Sequence, residues 1–444
     1  MQCYSTSVPG VGNSKKDEKA KPRKLTSVHM SGRWAHHAYR MSHDRQANVF
    51  YRPEGIEVMF KGARKVIPMD IRGHPNREFI WHPDSRRVAF WAPLDEARHK
   101  RVALMDIRKV SEERPYTILY DPKEAWHEEG VEHIPYGMEW SPGGNALYVL
   151  EWLNYVEDSI RPRDCVLIKV DLSKKNKATE ILRKPGHIDF FMPPVSRFEN
   201  GGGISKAGYW IAFGHKEGLY LLDPVAAERG EGGLRRIVTL PAVGLKNIEW
   251  NPRRDQLLVY FDRPSQAADG SQLLGVYLVH LDKVKPDEIP QTDVEDGGEA
   301  KPKQEWLERL FNEGGIHTLW FSPQGRFVTW SSSEAVFFRR PDALGEEPTV
   351  VEIQLETGEY LDIKGVTWHD SERYLGITAG PRAFVYDVQA KELTEVVNLE
   401  DSMPEGGFLA EPVWVKDELF FTKFEDVTAA TEEKLLKPVL IQKK

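Results

Sequence analysis

The sequence predicts an all-β chain of repeated four-stranded units, on three observations: a recurring aromatic-turn motif, an apolar run after each motif that ends in Asp, and a spacing that is nearly regular. The motif is read in "FIWHPDSRRVAFWA" from Phe79, "MEWSPGGNALYVLE" from Met138, "IEWNPRRDQLLVYF" from Ile248, "LWFSPQGRFVTWSS" from Leu319 and "VTWHDSERYLGITA" from Val366. Weaker forms start at Pro194 and Pro412, which makes seven units anchored at Trp81, Trp140, Val195, Trp250, Phe321, Trp368 and Trp414. The steps between anchors are 59, 55, 55, 71, 47 and 46 residues by subtraction. Periods of this size belong to propeller blades.

Each element has a local reason. At the turn, Pro fixes φ and Gly or Asp takes an unusual backbone conformation, so the chain reverses and the next strand pairs back. The aromatic before the turn is a large apolar wedge suited to the space between one twisted sheet and the next. A third strand follows and closes on Asp106, Asp171, Asp223, Asp282 or Asp387; a fourth reads as "YTILYD", "TEILRK", "RRIVTL", "TVVEIQL" or "LTEVVNL". The predicted fold class is therefore all-β, a single β-propeller of seven four-stranded blades. Closure is expected from a strand in "NVFYRPEGIEVMFKGARKVIPMDI" completing the last blade with the C-terminal strands, which would remove an exposed edge.

These motifs resemble the WD40-like (PD40/TolB-type) β-propeller repeat, whose hallmark is W-S-P-D-G-x-x-[IL]-[AV]-F followed by an "IYVMD"-like strand. The likeness runs from about residue 79 to 425. It implies a propeller and no particular reaction.

Two stretches stand outside the repeat. Residues 1–45 read as a polar, basic and His-containing arm, with "KKDEKAKPRK" carrying six Lys/Arg against two acids and with His29, His36, His37 and His43 following. Residues 46–444 read as the propeller. An acidic insertion at about 285–312 stretches the fourth step, and Trp306, Leu307, Leu310 and Phe311 in it have helical spacing.

Composition narrows the function classes. With 40% apolar and 29% charged residues the chain is globular, and a formal charge of −8 supplies no overall basic field for nucleic acid. Cys3 and Cys165 are the two cysteines, too few for a disulfide framework. Nowhere do 18 apolar residues run together and no leader is evident, so a cytoplasmic protein without membrane insertion is expected.

No G-x-S-x-G elbow, Walker A or H-E-x-x-H stretch occurs. No catalytic residue and no cofactor is assigned. The sharpest binding candidate is a set of His in loops leading to the first strands: His74, His133, His187 and His317, with Asp189 and Glu313 nearby. Imidazoles converging at a channel mouth could take a metal or an anion. The leading expectation is a non-enzymatic scaffold that meets one or more proteins through the N-terminal arm and the 285–312 insertion. The alternatives are a propeller enzyme or metal-binding protein using the His-lined mouth, and a translation- or RNA-associated propeller.

Overall fold

The computed structural model describes residues 2–7, 23–27, 39–42 and, with interruptions of which 282–306 is the longest, 47–424. The chain divides into two compact units, residues 34–314 and residues 1–33 with 315–444. Both are built from four-stranded antiparallel sheets of the β-propeller type.

The 34–314 unit holds five such sheets, each formed by strands that follow one another along the chain. The first is Tyr39–Met41, Ala47–Arg52, Gly55–Phe60 and Ala63–Pro68; the second is Phe79–Trp81, Arg87–Pro93, Lys100–Asp106 and Tyr116–Tyr120. The third is Val131–Trp140, Ala146–Tyr155, Asp164–Asp171 and Lys177–Pro185. Ile188–Met192, Ile211–His215, Gly218–Leu222 and Leu234–Thr239 form the fourth, with a small hairpin of Ile204–Ser205 and Gly208–Tyr209 between its first two strands. Leu245–Trp250, Gln256–Gln266, Gln272–His280 and Leu307–Phe311 form the fifth.

The sheets stack face to face because alternate residues of one strand are apolar on both sides. In the second strand of the 131–185 sheet, Leu147 and Val149 pack with Ala89, Trp91 and Val102 of the 79–120 sheet. Tyr148 and Leu150, pointing the other way, pack with Ile211, Phe213, Tyr220 and Leu222 of the 188–239 sheet. That sheet in turn uses Ala212, Leu219 and Leu221 against Ile248, Leu257, Val259 and Tyr277 of the 245–311 sheet.

In the other unit, Thr318–Phe321, Val328–Ser331, Ala335–Arg339 and Thr349–Glu352 make one sheet and Ile363–Trp368, Tyr374–Ala379, Arg382–Asp387 and Glu392–Asn398 a second. Val336 and Phe338 meet Trp368, Leu375 and Ile377 between them. A third sheet joins Phe408–Val415 and Glu418–Phe424 to Gln2–Ser7 and Arg23–Ser27, in the order 23–27, 2–7, 418–424, 408–415.

The described residues thus form eight four-stranded sheets where seven units are counted from the sequence. The added one is the 39–68 sheet. Its residues 47–68 do not complete the last sheet; Gln2–Ser7 does, with Cys3 opposite Thr422 and Ser5 opposite Phe420. The polar arm therefore contributes strands at 2–7, 23–27 and 39–41. A second difference concerns 307–311, which reads as helical and is the fourth strand of its sheet, with Leu307 opposite Val279 and Phe311 opposite Val276. Pairing with a long neighbouring strand overrides a short local period. The third anchor, Val195, lies outside the described residues.

The repeated turn shares one main-chain hydrogen bond. The residue after the aromatic donates its N–H to the carbonyl five places on in His82→Arg87, Ser141→Ala146, Asn251→Gln256, Ser322→Phe327 and His369→Tyr374. The fourth turn position is left-handed at Ser85, Gly144, Gly325 and Glu372, with φ of 57 to 69°. Ser141 and Ser322 also accept from Ala146 N and Phe327 N through Oγ, at 3.0 and 2.9 Å. Ser42 does the same to Ala47 N at 3.0 Å, which marks the 39–68 sheet as another copy of the repeat.

The closing Asp residues cap the chain beyond their strands. Asp106, Asp171, Asp223 and Asp387 each accept from the main-chain N–H two residues on, at 2.9 to 3.0 Å. Asp282 is outside the described residues.

Candidate functional site

The turn residues that look most chemical are used up in joining sheets. His82 follows Trp81; its Nε2–H donates to Gly144 O of the next sheet at 2.8 Å, and its Nδ1 accepts Asp84 N–H at 3.1 Å. The indole of Trp140 stands edge-on to that imidazole, 4.8 Å between centroids, and donates to Ile80 O at 3.1 Å. Burial holds the His82 pKa below the ordinary imidazole value, against the opposing pull of the Gly144 carbonyl and Asp84. His369 and Trp414 repeat the edge-on pairing at 5.0 Å. Trp368 donates to Thr329 Oγ1 at 2.8 Å across its own sheet boundary. Trp81, Trp250 and Phe321 are likewise buried, so the aromatic anchors act as wedges.

The titratable cluster that the repeat does not explain surrounds His133. Its Nδ1 lies 2.9 Å from Glu151 Oε2, and the two side chains are 6% and 0% exposed. Trp126 lies flat on the imidazole, 5.8 Å between centroids with planes 8° apart, and donates its Nε1–H to Tyr120 Oη at 2.7 Å. Burial, with the nearby Glu151 charge second, pushes the Tyr120 phenol well above its usual range. Tyr120 ends the last strand of one sheet; Trp126 closes the helix Pro122–Ala125, which Asp121 caps; His133 and Glu151 sit on the first two strands of the next sheet. The cluster is thus the crossing point between two successive sheets.

Its chemistry is that of a carboxylate-oriented imidazole. If Glu151 accepts the Nδ1–H, the Nε2 lone pair is left to act as base or ligand. Both His133 Nε2 and Glu151 Oε1 are buried without a hydrogen-bond partner.

A second polar chain runs Asn251–Gln256–His280–Glu308 within the 245–311 sheet: Asn251 Nδ2 donates to Gln256 Oε1 at 2.9 Å, and His280 Nε2 stands 3.1 Å from Glu308 Oε2.

Of the predicted channel-mouth set, His133, His317 and Asp189 fall within the described residues. His133 is in a strand, not in a loop, because the Val131–Trp140 strand is long enough to reach back over the turn region; its partner is Glu151. His317 is exposed, with its main-chain N–H bonded to Ser331 O. Asp189 falls in Ile188–Met192, and nothing is described of its side chain. His74, His187 and Glu313 lie outside the described residues. Among the described residues no three His, Cys, Asp or Glu come together as a metal site. Tyr120, Trp126 and Glu151 belong to no chemical motif in the sequence. Glu151 had a signal: it is the single charge inside the apolar strand "ALYVLEWL".

No protein-family model matches the chain, and no curated protein matches it by sequence. Many solved structures resemble it in fold. A chain of a mitotic checkpoint complex is 12% identical with a TM-score of 0.40, over 78% of this chain and 86% of that one. A eukaryotic initiation factor is 10% identical with a TM-score of 0.46, over 84% and 80%. The β-propeller domain of the Trilobed protease of Pyrococcus furiosus is 12% identical with a TM-score of 0.38, over 80% and 95%.

Proposed function

We propose that the chain is a non-enzymatic protein-interaction module, a propeller-type subunit of a larger assembly. The observation that carries this reading is where the large exposed apolar side chains stand among the described residues. Ile118 and Val350 are on the last strands of their sheets and Tyr360 follows the second of these, exposed by 39%, 46% and 47%. Rigid stacked sheets that present apolar groups on their free edges suit protein contacts. The repeat's Ser, His and Trp residues are meanwhile committed to turns and sheet junctions.

The reading extends to a WD40-like, TolB-type repeat ancestry, to a cytoplasmic setting, and to further contacts through residues 1–45 and 285–312. Among the described residues no helix is long and apolar enough to cross a membrane. The test is quantitative affinity capture of the intact chain from its native cell. A protein recovered in fixed stoichiometry supports the module; a chain recovered alone that turns over a substrate when purified overturns it.

One observation favours a second reading, in which His133 serves a ligand: its Nε2 and Glu151 Oε1 are buried and unpartnered. Metal analysis of the purified chain separates the two, since a stoichiometric metal lost in His133→Ala supports the ligand site.

A further inference from the structure

We propose that the free edge of the 318–352 sheet, together with the turn that follows it, docks an extended basic segment of a partner protein. This rests on the interaction-module reading and names its surface and the chemistry of its partner.

Thr349–Glu352 pairs on one side with Ala335–Arg339 in unbroken register, and no strand lies on its other side among the described residues. Its side chains alternate: Val351 and Ile353 are buried, Val350 and Glu352 exposed. The chain then reverses through a tied turn. Gln354 bridges Tyr360, Leu361 N–H bonds Ile353 O, Leu355 N–H bonds Glu359 O, and Gln354 Nε2 donates to Gly358 O at 2.9 Å. Tyr360, 47% exposed, is therefore held on a fixed frame across from Gln354.

The electrostatics select the partner. Residues 342–362 contain Asp342, Glu346, Glu347, Glu352, Glu356, Glu359 and Asp362 and no Lys or Arg, a net −7 in a chain that totals −8. Arg340 offsets Glu346 and Lys364 offsets Asp362. Glu347, Glu352 and Glu359 are exposed and make no ion pair among the described residues. Natural edge strands are guarded by short length, charge, Pro or a bulge. This one is four residues long and follows Pro348, and its charge is acidic: an exposed Val stands beside carboxylates and no Lys. A second copy of the chain would bring like charges together, which opposes pairing. A foreign strand that alternates Lys or Arg with Val or Ile meets both features: main-chain bonds along the edge, cations on Glu347 and Glu352, and an apolar or guanidinium contact on Tyr360.

The test uses the full chain and a fluorescein-labelled ten-residue peptide alternating Lys/Arg with Val/Ile, followed by anisotropy at low and moderate salt. The expected result is saturable binding that weakens with salt. It weakens at least tenfold in Val350→Lys and in Glu352→Lys, and changes less than twofold in Ile118→Lys on the 79–120 sheet, with all three variants melting within a few degrees of the parent. No binding, equal binding by Val350→Lys, or equal binding of an all-Lys peptide overturns the proposal. In the native capture, a stoichiometric partner retained by Glu352→Lys leaves the module reading standing and overturns this surface. Peptide binding with the expected variant pattern but no captured partner upholds the surface while the module reading fails.

Discussion

Replacing Gly144 with alanine tests the inter-sheet junction at one atom. Gly144 has φ of +69°, and a Cβ there would stand 2.2 Å from His82 Nε2, 2.5 Å from Cε1 and 3.1 Å from Cδ2. The left-handed backbone costs a non-glycine residue about 1–2 kcal/mol. His82 must also move, which breaks its 2.8 Å bond to Gly144 O, worth about 0.5–1.5 kcal/mol. The edge-on contact with Trp140 is disturbed as well, at about 0.5–1.5 kcal/mol. The expected loss in urea unfolding, followed by tryptophan fluorescence, is about 2–5 kcal/mol. Gly143→Ala is the control: it has an ordinary φ and its nearest atom is at 3.9 Å, so it should cost less than about 0.5 kcal/mol. In a His82→Ala background the methyl has room, and Gly144→Ala should cost only the backbone share, about 1–2 kcal/mol. An equal cost in both backgrounds, or a negligible cost in the parent, refutes the junction.

Four further outcomes are expected. Glu151→Ala leaves His133 Nδ1 unpaired in a buried site and should cost about 2–4 kcal/mol, while His133→Ala with Glu151→Ala costs about 1–3 kcal/mol less than the sum, read by a double-mutant cycle in urea. Because burial lowers the His82 pKa, its stabilising share is complete above about pH 6.5 and is lost as pH falls toward the folded value; His82→Asn should flatten that part of a melting-temperature profile. Deleting residues 1–33 strips two strands from the sheet that buries Leu419 and Phe421, so the truncated chain should melt lower and aggregate through the bared Glu418–Phe424 edge, seen by calorimetry and light scattering. Thr422→Cys sets a second thiol opposite Cys3 in the strand register; mild oxidation should yield a peptide linked through Cys3 to the introduced thiol on mass mapping.

Local chemistry was legible wherever the turn itself carried the signal. Pro with Gly at "SPGG" and "SPQG", and the Asp that closes a third strand at 106, 171, 223 and 387, do in the structure what their types require, as capping of Ser173 N–H by Asp171 shows. The 39–68 sheet escaped because "SHDRQA" has no Pro, Gly or preceding Trp. Its one shared feature is Ser42, whose Oγ takes Ala47 N–H as Ser141 takes Ala146. The end strands escaped for another reason: "QCYSTS" has little apolar pattern of its own, and its strand is made by pairing with a partner more than 400 residues away. His133 was singled out by sequence, yet its surroundings were not. Glu151, Trp126 and Tyr120 reach it through strand register and a helix cap, long-range geometry that no spacing rule contains.

The central claim, that this chain works by holding another protein, is tested most directly by amide hydrogen exchange on the chain as isolated from its cell, compared with the same chain stripped of companions. The account predicts slower exchange on free sheet edges, strongest over 346–362, in the native isolate. Identical exchange in the two samples contradicts it.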